Sequence, residues 1–350
     1  MKRLLPLMVS HSKKLKYSLV IAVIVLVGVF LTTAHGPVSV PITTVLTPQI
    51  SKPITLTFVG DIMMDRGVRR SIEKKFGNDY SALFATTGYL ADADIAFANL
   101  EGTATTEISP RTGSRFSFRM NPDSLTALRH AGIDIVSFAN NHVGDYSTKG
   151  FLGTLENLKT TNILYTGAGE NYTDVTTPII ITVRGTTIGF LGATDVGPAW
   201  LAATDAKPGI LLASDPKLPE IVAAAKQQVD VLVMSFHFGN EYSPANARQE
   251  KLAKATIDAG ADIVVGHHPH VMQKVEEYNG KPIFYSLGNF IFDQYFSPHT
   301  MRGMVATVSI DPETKAITHT EQISSLSRQF IPQALAPFDA SLLITKSFTP

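Results

Sequence analysis

Short apolar runs rich in β-branched residues alternate with amphipathic stretches along most of this chain. Six such runs predict strands, and they are Ile54–Gly60, Ile95–Ala98, Ile133–Ala139, Val229–Phe236, Ile263–Val265 and Ile283–Leu287. Four amphipathic stretches predict helices, and they are Asp123–Ala131, Thr148–Thr160, Leu218–Val229 and Arg248–Ala259. Because strands and helices alternate, we expect an α/β architecture with parallel strands.

Two segments depart from this alternation and predict β-hairpins. Pro178–Thr194 has Arg-Gly-Thr between two strand patterns, and Met304–Ser324 repeats this form around an Asp-Pro-Glu-Thr turn. A hairpin joins antiparallel strands. We therefore expect either one mixed sheet or two sheets.

The N-terminal part follows another pattern. Residues 1–16 hold five basic side chains and no acid, and the 17 residues Tyr17–Thr33 hold no charge. This length is near the lower limit for a membrane-spanning helix. We expect a membrane anchor over residues 17–34, with residues 1–16 cytoplasmic and the bulk of the chain extracytoplasmic, because basic flanks stay inside. The alternative is a cleaved secretory signal, which would make the protein secreted.

A linker follows the predicted anchor. Residues 35–53 contain four prolines among many Thr, Ser and Val residues, which is typical of an extended tether. We expect the folded domain to span residues 54–330. Residues 331–350, with further prolines, are expected to form either a strand over the sheet or a loose tail.

Composition narrows the possible functions. Apolar residues make up 44% of the chain, which is ample for a large core. The formal net charge is zero, so the body after the basic segment carries −5 and is a poor candidate for general nucleic-acid binding. There is no cysteine, so any metal ligands must be nitrogen or oxygen atoms.

Polar clusters follow several of the predicted strands. They are Gly60-Asp61, Asn99-Leu100-Glu101, Asn140-Asn141-His142, His237, and Gly266-His267-His268-Pro269-His270. Parallel strands end at the same edge of a sheet, so these side chains should lie together. Carboxylates, amides and imidazoles are ligands for divalent metals. The sequence therefore predicts a metal site at this edge.

The clusters differ in how strongly they indicate chemistry. Three imidazoles within residues 267–270 are costly to place together unless something uses them. Asn141 beside His142 offers an amide ligand next to a proton donor. Asp61 alone is more typical of a helix cap or turn, and His237 alone is more typical of a polar strand end. The segment Ser286–Phe290 could line the same cleft.

Taken together, the motifs resemble the CapA-type proteins of capsule (poly-γ-glutamate) synthesis, whose domain is similar to the calcineurin-like metallophosphoesterases. The matching stretches are FVGDIMMDRGV, FANLEGT, SFANNHVGD, HFGNEY, VVGHHPHV and YSLGNFIFD, and they occur in the family's order. The resemblance implies a four-layer α/β/β/α sandwich of mixed sheets. It also implies a metal site at the sheet edges and an N-terminal membrane anchor.

The resemblance also assigns roles to residues. It makes Asp61, Glu101, Asn141, His237, His268 and His270 metal ligands, and it makes His142 the proton donor to the leaving group. Two positions differ from the phosphoesterases. Met63 stands where they place a histidine, and Asp145 replaces an acid directly after the Asn-His pair. His267 leaves open which imidazoles bind.

The function implied is metal-dependent hydrolysis or transfer on an anionic polymer or a phosphoester, with one or two Mn, Fe or Zn ions. Arg66 could hold the anionic substrate or be a solvated surface residue. The alternative is a non-catalytic accessory subunit that binds nascent polymer or a membrane-bound capsule synthase. A purely structural metal site is the least favoured interpretation, because such sites commonly use cysteine.

Overall fold

The computed structural model describes residues 52–111 and 116–350. The predicted basic segment, the predicted anchor and nearly all of the predicted linker lie outside the described residues. Within the described ranges, no helix combines the length and apolar character that a membrane crossing requires. The described residues belong to one compact unit.

Strands make up most of the interior. The strands β1–β18 of the described residues are, in order, Ile54–Ile62, Ile95–Leu100, Thr103–Ala104, Arg119–Met120, Ile135–Ser137, Leu164–Thr166, Ala168–Gly169, Ile179–Val183, Thr186–Thr194, Gly209–Ile210, Val231–His237, Ile263–His267, Val275–Tyr278, Lys281–Phe284, Asn289–Ile291, Arg302–Ile310, Ile317–Ser325 and Ala336–Pro337. Each predicted strand overlaps one of these, so the strand predictions are confirmed within a few residues.

Helices connect many of the strands. In the described residues, helices α1–α7 are, in order, Arg66–Phe76, Tyr89–Asp92, Asp123–His130, Ser147–Thr160, Tyr172–Thr176, Leu218–Lys226 and Ala247–Asp258. Short 3₁₀ turns span Tyr80–Phe84, Ala199–Leu201 and Ala340–Leu342. The four predicted helices are confirmed as α3, α4, α6 and α7. Helix α1 was not predicted, and it packs on sheet I through a narrow apolar stripe of Val68, Ile72 and the partly buried Phe76.

The strands form two large mixed sheets. Sheet I has the order β18-β17-β16-β1-β2-β5-β6, and β15 pairs in parallel with the end of β1. Strands β1, β2, β5 and β6 are mutually parallel, whereas β16 runs antiparallel to β1. Sheet II has the order β13-β14-β12-β11-β9-β8, with antiparallel strands only at its edges. The two predicted hairpins are β8-β9 and β16-β17.

Three apolar clusters define four layers. The cluster between the sheets joins Leu56, Phe58 and Phe97 of sheet I to Phe190 and Val233 of sheet II. Helices α1, α3 and α4 pack on the outer face of sheet I. Helices α6 and α7 pack on the outer face of sheet II. The architecture is therefore α/β, with its layers in the order α/β/β/α.

The last twenty residues are packed against the domain. Strand β18 pairs with β17 at the edge of sheet I. Further on, the N–H of Ile344 donates to the carbonyl of Met272 at 3.0 Å, and the N–H of Phe348 donates to the carbonyl of Tyr242 at 3.1 Å. The rings of Phe348 and Tyr242 stack with centroids 5.3 Å apart. The C-terminal segment thus supports the loop that follows β11.

Gly60 permits the close approach of β15 to β1. An added Cβ at Gly60 would lie 1.9 Å from the carbonyl oxygen of Gly288, which accepts a hydrogen bond from the N–H of Asp61 at 2.9 Å. The space left by the missing side chain of Gly60 is filled by the backbone of Leu287 and Gly288. The glycine therefore fixes the strand position on which Asp61 depends.

We expect Gly60→Ala to lower the free energy of unfolding by about 1–3 kcal/mol, because a backbone carbonyl must move to admit the methyl group. Gly88→Ala is the matched control, since an added Cβ there meets no atom within 4 Å. Denaturant titration of both variants measures the difference. Equal stability of the two variants would contradict this account of the strand contact.

Candidate metal centre

The carboxyl ends of adjacent strands in sheet I carry the predicted acids. Asp61 lies near the end of β1, and its parallel partner on β2 is Asn99. Glu101 follows β2 directly. On the other side of β1, Asn289 of β15 is also a register partner of Asp61. All four side chains are fully buried. The parallel register therefore gathers these donors at one edge, as the sequence pattern predicted.

The amide group of Asn99 links the predicted ligands to one another. Its Nδ2 donates to Asp61 Oδ1 at 2.8 Å and to Glu101 Oε2 at 3.3 Å, and it lies 3.3 Å from His237 Nδ1. Its Oδ1 accepts a hydrogen bond from Asn140 at 3.2 Å. Asn99 thus orients Glu101 and also connects Asp61 to sheet II.

Sheet II contributes the imidazoles. His237 ends β11, and its register partner on β12 is His267. His237 Nε2 lies 2.9 Å from Asn141 Oδ1. His237 Nε2 and Asn141 Oδ1 are therefore close enough to bind one ion together.

The turn after β12 has an unusual backbone. His268 and His270 adopt positive φ angles of 100° and 57°, which cost non-glycine residues free energy and are concentrated at functional sites. The turn directs His270 toward both acids, with Nδ1 3.3 Å from Asp61 Oδ2 and Nε2 3.5 Å from Glu101 Oε1. The turn that carries the pair His268 and His270, the H-x-H turn, therefore brings His270 to the carboxylates.

Asn289 fixes the orientation of His270. Asn289 Nδ2 donates to the carbonyl oxygen of Thr300 at 2.9 Å, which leaves its Oδ1 as the acceptor facing His270 Nδ1 at 3.0 Å. His270 therefore carries a proton on Nδ1. Its Nε2, on the side of Glu101, is the nitrogen available for a metal.

His267 has a different environment from its two neighbours. It is fully buried, and its ring stacks on Phe97 in the core between the sheets with centroids 6.2 Å apart. Its Nδ1 lies 3.4 Å from Asp61 Oδ1, which is a charge contact rather than a good hydrogen bond. His267 therefore packs in the core against Asp61, whereas His268 and His270 lie in the turn that follows β12.

The surroundings of Asp61 and Glu101 shift the pKa values of these two acids in opposite directions. Burial acts to raise the pKa of Asp61, but the imidazoles of His267 and His270 outweigh it and hold that pKa well below its usual range. Burial raises the pKa of Glu101 well above its usual range, even against the attraction of His270. The two neighbouring carboxyl groups are thereby pushed apart in acidity.

The pKa values of the imidazoles are also shifted in opposite directions. Burial holds the pKa of His237 well below its usual range. Burial and the nearby charge of His270 lower the pKa of His268 to about 3. For His270, burial is outweighed by Glu101 and Asp61, so its pKa rises to about 9, and an ion bound at Nε2 would displace a proton from that nitrogen. His237 and His268 are therefore neutral at physiological pH, which is the form that binds metals.

Four buried side-chain atoms of this site have no hydrogen-bond partner among the described residues. They are Glu101 Oε1, His268 Nδ1 and both ring nitrogens of His267. An unpaired buried polar atom is costly. Two groups of acids and imidazoles there have donor atoms within 4.8 Å of one another, namely Asp61-Glu101-His270 and Glu241-His268-His270. The residues fit a divalent metal ion.

His142 lies at the partly open side of the site. Its side chain is 13% exposed, Nδ1 is 2.8 Å from Asp145 Oδ2, and Nε2 is 3.9 Å from Glu101 Oε1. The ring stacks on Phe118 with centroids 3.9 Å apart. Asp145 thus supports His142 from three residues downstream, where the sequence showed only a departure from the phosphoesterase pattern.

Arg66 lies near the site but is already paired. Its guanidinium forms an ion pair with Asp293 through two nitrogens and lies 4.6 Å from the ring centroid of Phe118. Sequence reasoning missed Asp293 as the partner of Arg66. The acid at the end of YSLGNFIFD was visible, but nothing local links residues 227 positions apart.

The comparisons with known proteins agree with these motifs. The model of the family "Bacterial capsule synthesis protein PGA_cap" matches residues 55–294. The capsule biosynthesis protein CapA of Bacillus anthracis is 36% identical over 252 residues, covering 70% of this chain and 61% of that protein. The PGA biosynthesis protein CapA of Bacillus subtilis (strain 168) is 36% identical over 244 residues, covering 69% and 64%.

A more distant relative is the probable polyglutamine synthesis accessory protein of Mycobacterium tuberculosis (strain H37Rv), 31% identical over 212 residues, covering 57% of this chain and 56% of that protein. The matched region spans less than two thirds of each of these three relatives. The family match itself spans more than half of the present chain. The chain therefore belongs to the PGA_cap family of bacterial capsule synthesis proteins, the CapA family.

Proposed function

We propose that this chain is a membrane-anchored, extracytoplasmic protein of capsule or poly-γ-glutamate synthesis or export. Its CapA domain would carry out metal-dependent hydrolysis or transfer on an anionic substrate. The observation that carries the chemical part is the buried Asp61-Glu101-His270 group beside neutral imidazoles, with unpaired donor atoms. The names of the two Bacillus relatives support the capsule role.

One or two Mn, Fe or Zn ions would be held by residues from both sheets. These residues are Asp61, Glu101, Asn141, His237, His268 and His270. A bound ion of this kind supplies a Lewis acid and lowers the pKa of a bound water toward about 7. The neutral rings of His237 and His268 offer lone pairs without first losing a proton.

The chain's own proton donor would be His142. Its Nδ1 faces the Asp145 carboxylate, which orients the ring, and its Nε2 faces the site. The protonated ring would transfer the Nε2 proton to the departing oxygen or nitrogen of the substrate. The stacked ring of Phe118 limits how His142 can rotate. This arrangement supports His142 as the general acid.

Arg66 would contribute to substrate binding while it remains paired with Asp293. Asp293 engages two of its nitrogens, and a guanidinium has five N–H donors. The remaining donors could contact an anionic polymer or a phosphoester. The mildly acidic body still disfavours nucleic acid as a partner.

The second candidate function is a non-catalytic accessory subunit that binds nascent polymer or a membrane-bound capsule synthase. The observation that favours it is Met63, which occupies the position of a phosphoesterase ligand and packs with Phe118 and Phe292 in an apolar cluster. The mycobacterial relative is itself named an accessory protein. The support of His142 by Asp145 favours the enzyme, because a binding protein does not need a positioned proton donor.

Asp61→Ala and His270→Ala should each remove bound metal and turnover, because each deletes a donor from the buried group. Elemental analysis of the full-length protein, purified without chelators, should give one or two equivalents of transition metal for the wild type and less for the variants. Asp262→Ala, which removes a buried carboxylate outside the group, should retain the metal. Absence of metal from the wild type after Mn or Zn is added would reject the hydrolase proposal.

His142→Gln should retain the metal but lower turnover about 10²–10⁴-fold, the usual contribution of a general acid. His319→Gln, in a half-buried histidine paired with Glu321 on β17, is the matched control and should leave turnover unchanged. The measurement is hydrolysis of phosphoester and γ-glutamyl amide substrates, together with capsule formation in cells. Normal capsule formation by His142→Gln would favour the accessory subunit instead.

A phosphatase reporter that is active only outside the cytoplasm, fused after Pro350 of the full chain, should be active and remain with the membrane fraction. The physical reason is the uncharged run over residues 17–34 with basic residues before it. A fusion that begins at Lys52 should give an inactive reporter, because it lacks this run. Active reporter in the medium would instead identify a cleaved signal.

A further inference from the structure

The Asp61-Glu101-His270 group lacks the extra imidazole that the phosphoesterases place two residues after the first aspartate. Met63 stands at that position and is fully buried in the apolar cluster with Phe118 and Phe292. Its sulfur accepts a hydrogen bond from the N–H of Asp65 at 3.1 Å. Met63 is therefore a packing residue, and a hard cation bound here needs another oxygen or nitrogen donor.

Glu241 lies in the loop after β11, which is hydrogen-bonded to the H-x-H turn that carries His268 and His270. On one side of Glu241, the N–H of Phe238 donates to the carbonyl of His267 at 3.1 Å, and on the other, the N–H of Tyr242 donates to the carbonyl of Pro269 at 2.9 Å. These bonds hold the loop after β11 against the loop after β12. The backbone of Glu241 is thus kept beside the two histidines.

The donor atoms of Glu241, His268 and His270 all lie within 4.8 Å of one another. His268 is 7% exposed, and its Nδ1 has no hydrogen-bond partner among the described residues. Glu241 is exposed, so its carboxylate is not desolvated before it meets an ion. A charged, accessible carboxylate beside an unpaired buried imidazole and a second imidazole is a suitable site for a divalent cation.

We propose that Glu241 is a metal ligand, which joins His268 and His270 around a divalent ion and supplies the donor that Met63 does not. This inference rests on the proposed metal-dependent function and assigns a further residue to it. The carboxylate of Glu241 follows β11, whereas Met63, at the position of the missing imidazole, follows β1. It would also favour Mn²⁺ over Zn²⁺ relative to an imidazole at the same place, because carboxylates suit harder cations.

The test is titration of the full-length protein, freed of metal, with Mn²⁺ alone and with Zn²⁺ alone, by calorimetry. Glu241→Gln should weaken Mn²⁺ binding by at least about tenfold, the smallest loss expected when a residue supporting a metal is removed. Glu277→Gln is the matched control, since Glu277 is exposed on β13 and belongs to neither donor group. It should bind Mn²⁺ like the wild type.

Glu241→His separates a ligand from a merely attractive charge. If Glu241 binds the ion, the new imidazole should weaken Mn²⁺ binding more than Zn²⁺ binding and should alter the electron paramagnetic resonance spectrum of bound Mn²⁺. Equal weakening of both ions with an unchanged spectrum would show that Glu241 acts only by its charge and would overturn the inference. Thermal unfolding without metal should be the same for all variants, since residue 241 is exposed.

The outcomes also distinguish this inference from the function on which it rests. Metal binding by the wild type that Glu241→Gln leaves unchanged would reject Glu241 as a ligand and leave the proposed function standing. Absence of any binding by the wild type would reject both. A loss in Glu241→Gln that Glu277→Gln reproduces would reduce the effect to net charge and would also reject Glu241 as a ligand.

Discussion

Two carboxylates, Asp61 and Glu101, are buried together at one edge of sheet I, and the surrounding structure offsets the cost of placing them there. An isolated buried charge is strongly destabilising, and two like charges in contact are worse. The Asn99 amide donates to both acids, and His270 lies within 3.5 Å of both. The raised pKa of Glu101 and the lowered pKa of Asp61 are the electrostatic result.

The sandwich makes this arrangement possible. Each sheet supplies only part of the site, with acids and amides from sheet I and most imidazoles from sheet II. The apolar core between the sheets aligns the carboxyl ends of their parallel strands. Close packing of β15 on β1 at Gly60 and the positive φ angles of His268 and His270 are local costs that the packed sheets support. The rigid layers therefore hold an otherwise unfavourable collection of polar groups.

Two residues at which the sequence motifs depart from the phosphoesterase pattern lie beside the buried acids. Met63 makes one wall apolar, and Asp145 supports His142 from a position further along the chain. The C-terminal segment stabilises the loop after β11 through Phe348 and Tyr242. The chemistry proposed for the centre is consistent with these changes, because the buried acids and the H-x-H turn are unaffected by them.

The sequence by itself determined the alternation of strands and helices, the two hairpins and the polar residues at the strand ends. These follow from the period of apolar positions and from the rule that parallel strands end together. Only the tertiary structure decided that His267 packs in the core against Asp61 and that Asp293 pairs with Arg66. Such contacts join residues far apart in the chain, and packing selects them because no local pattern encodes which distant side chain will fill a given position.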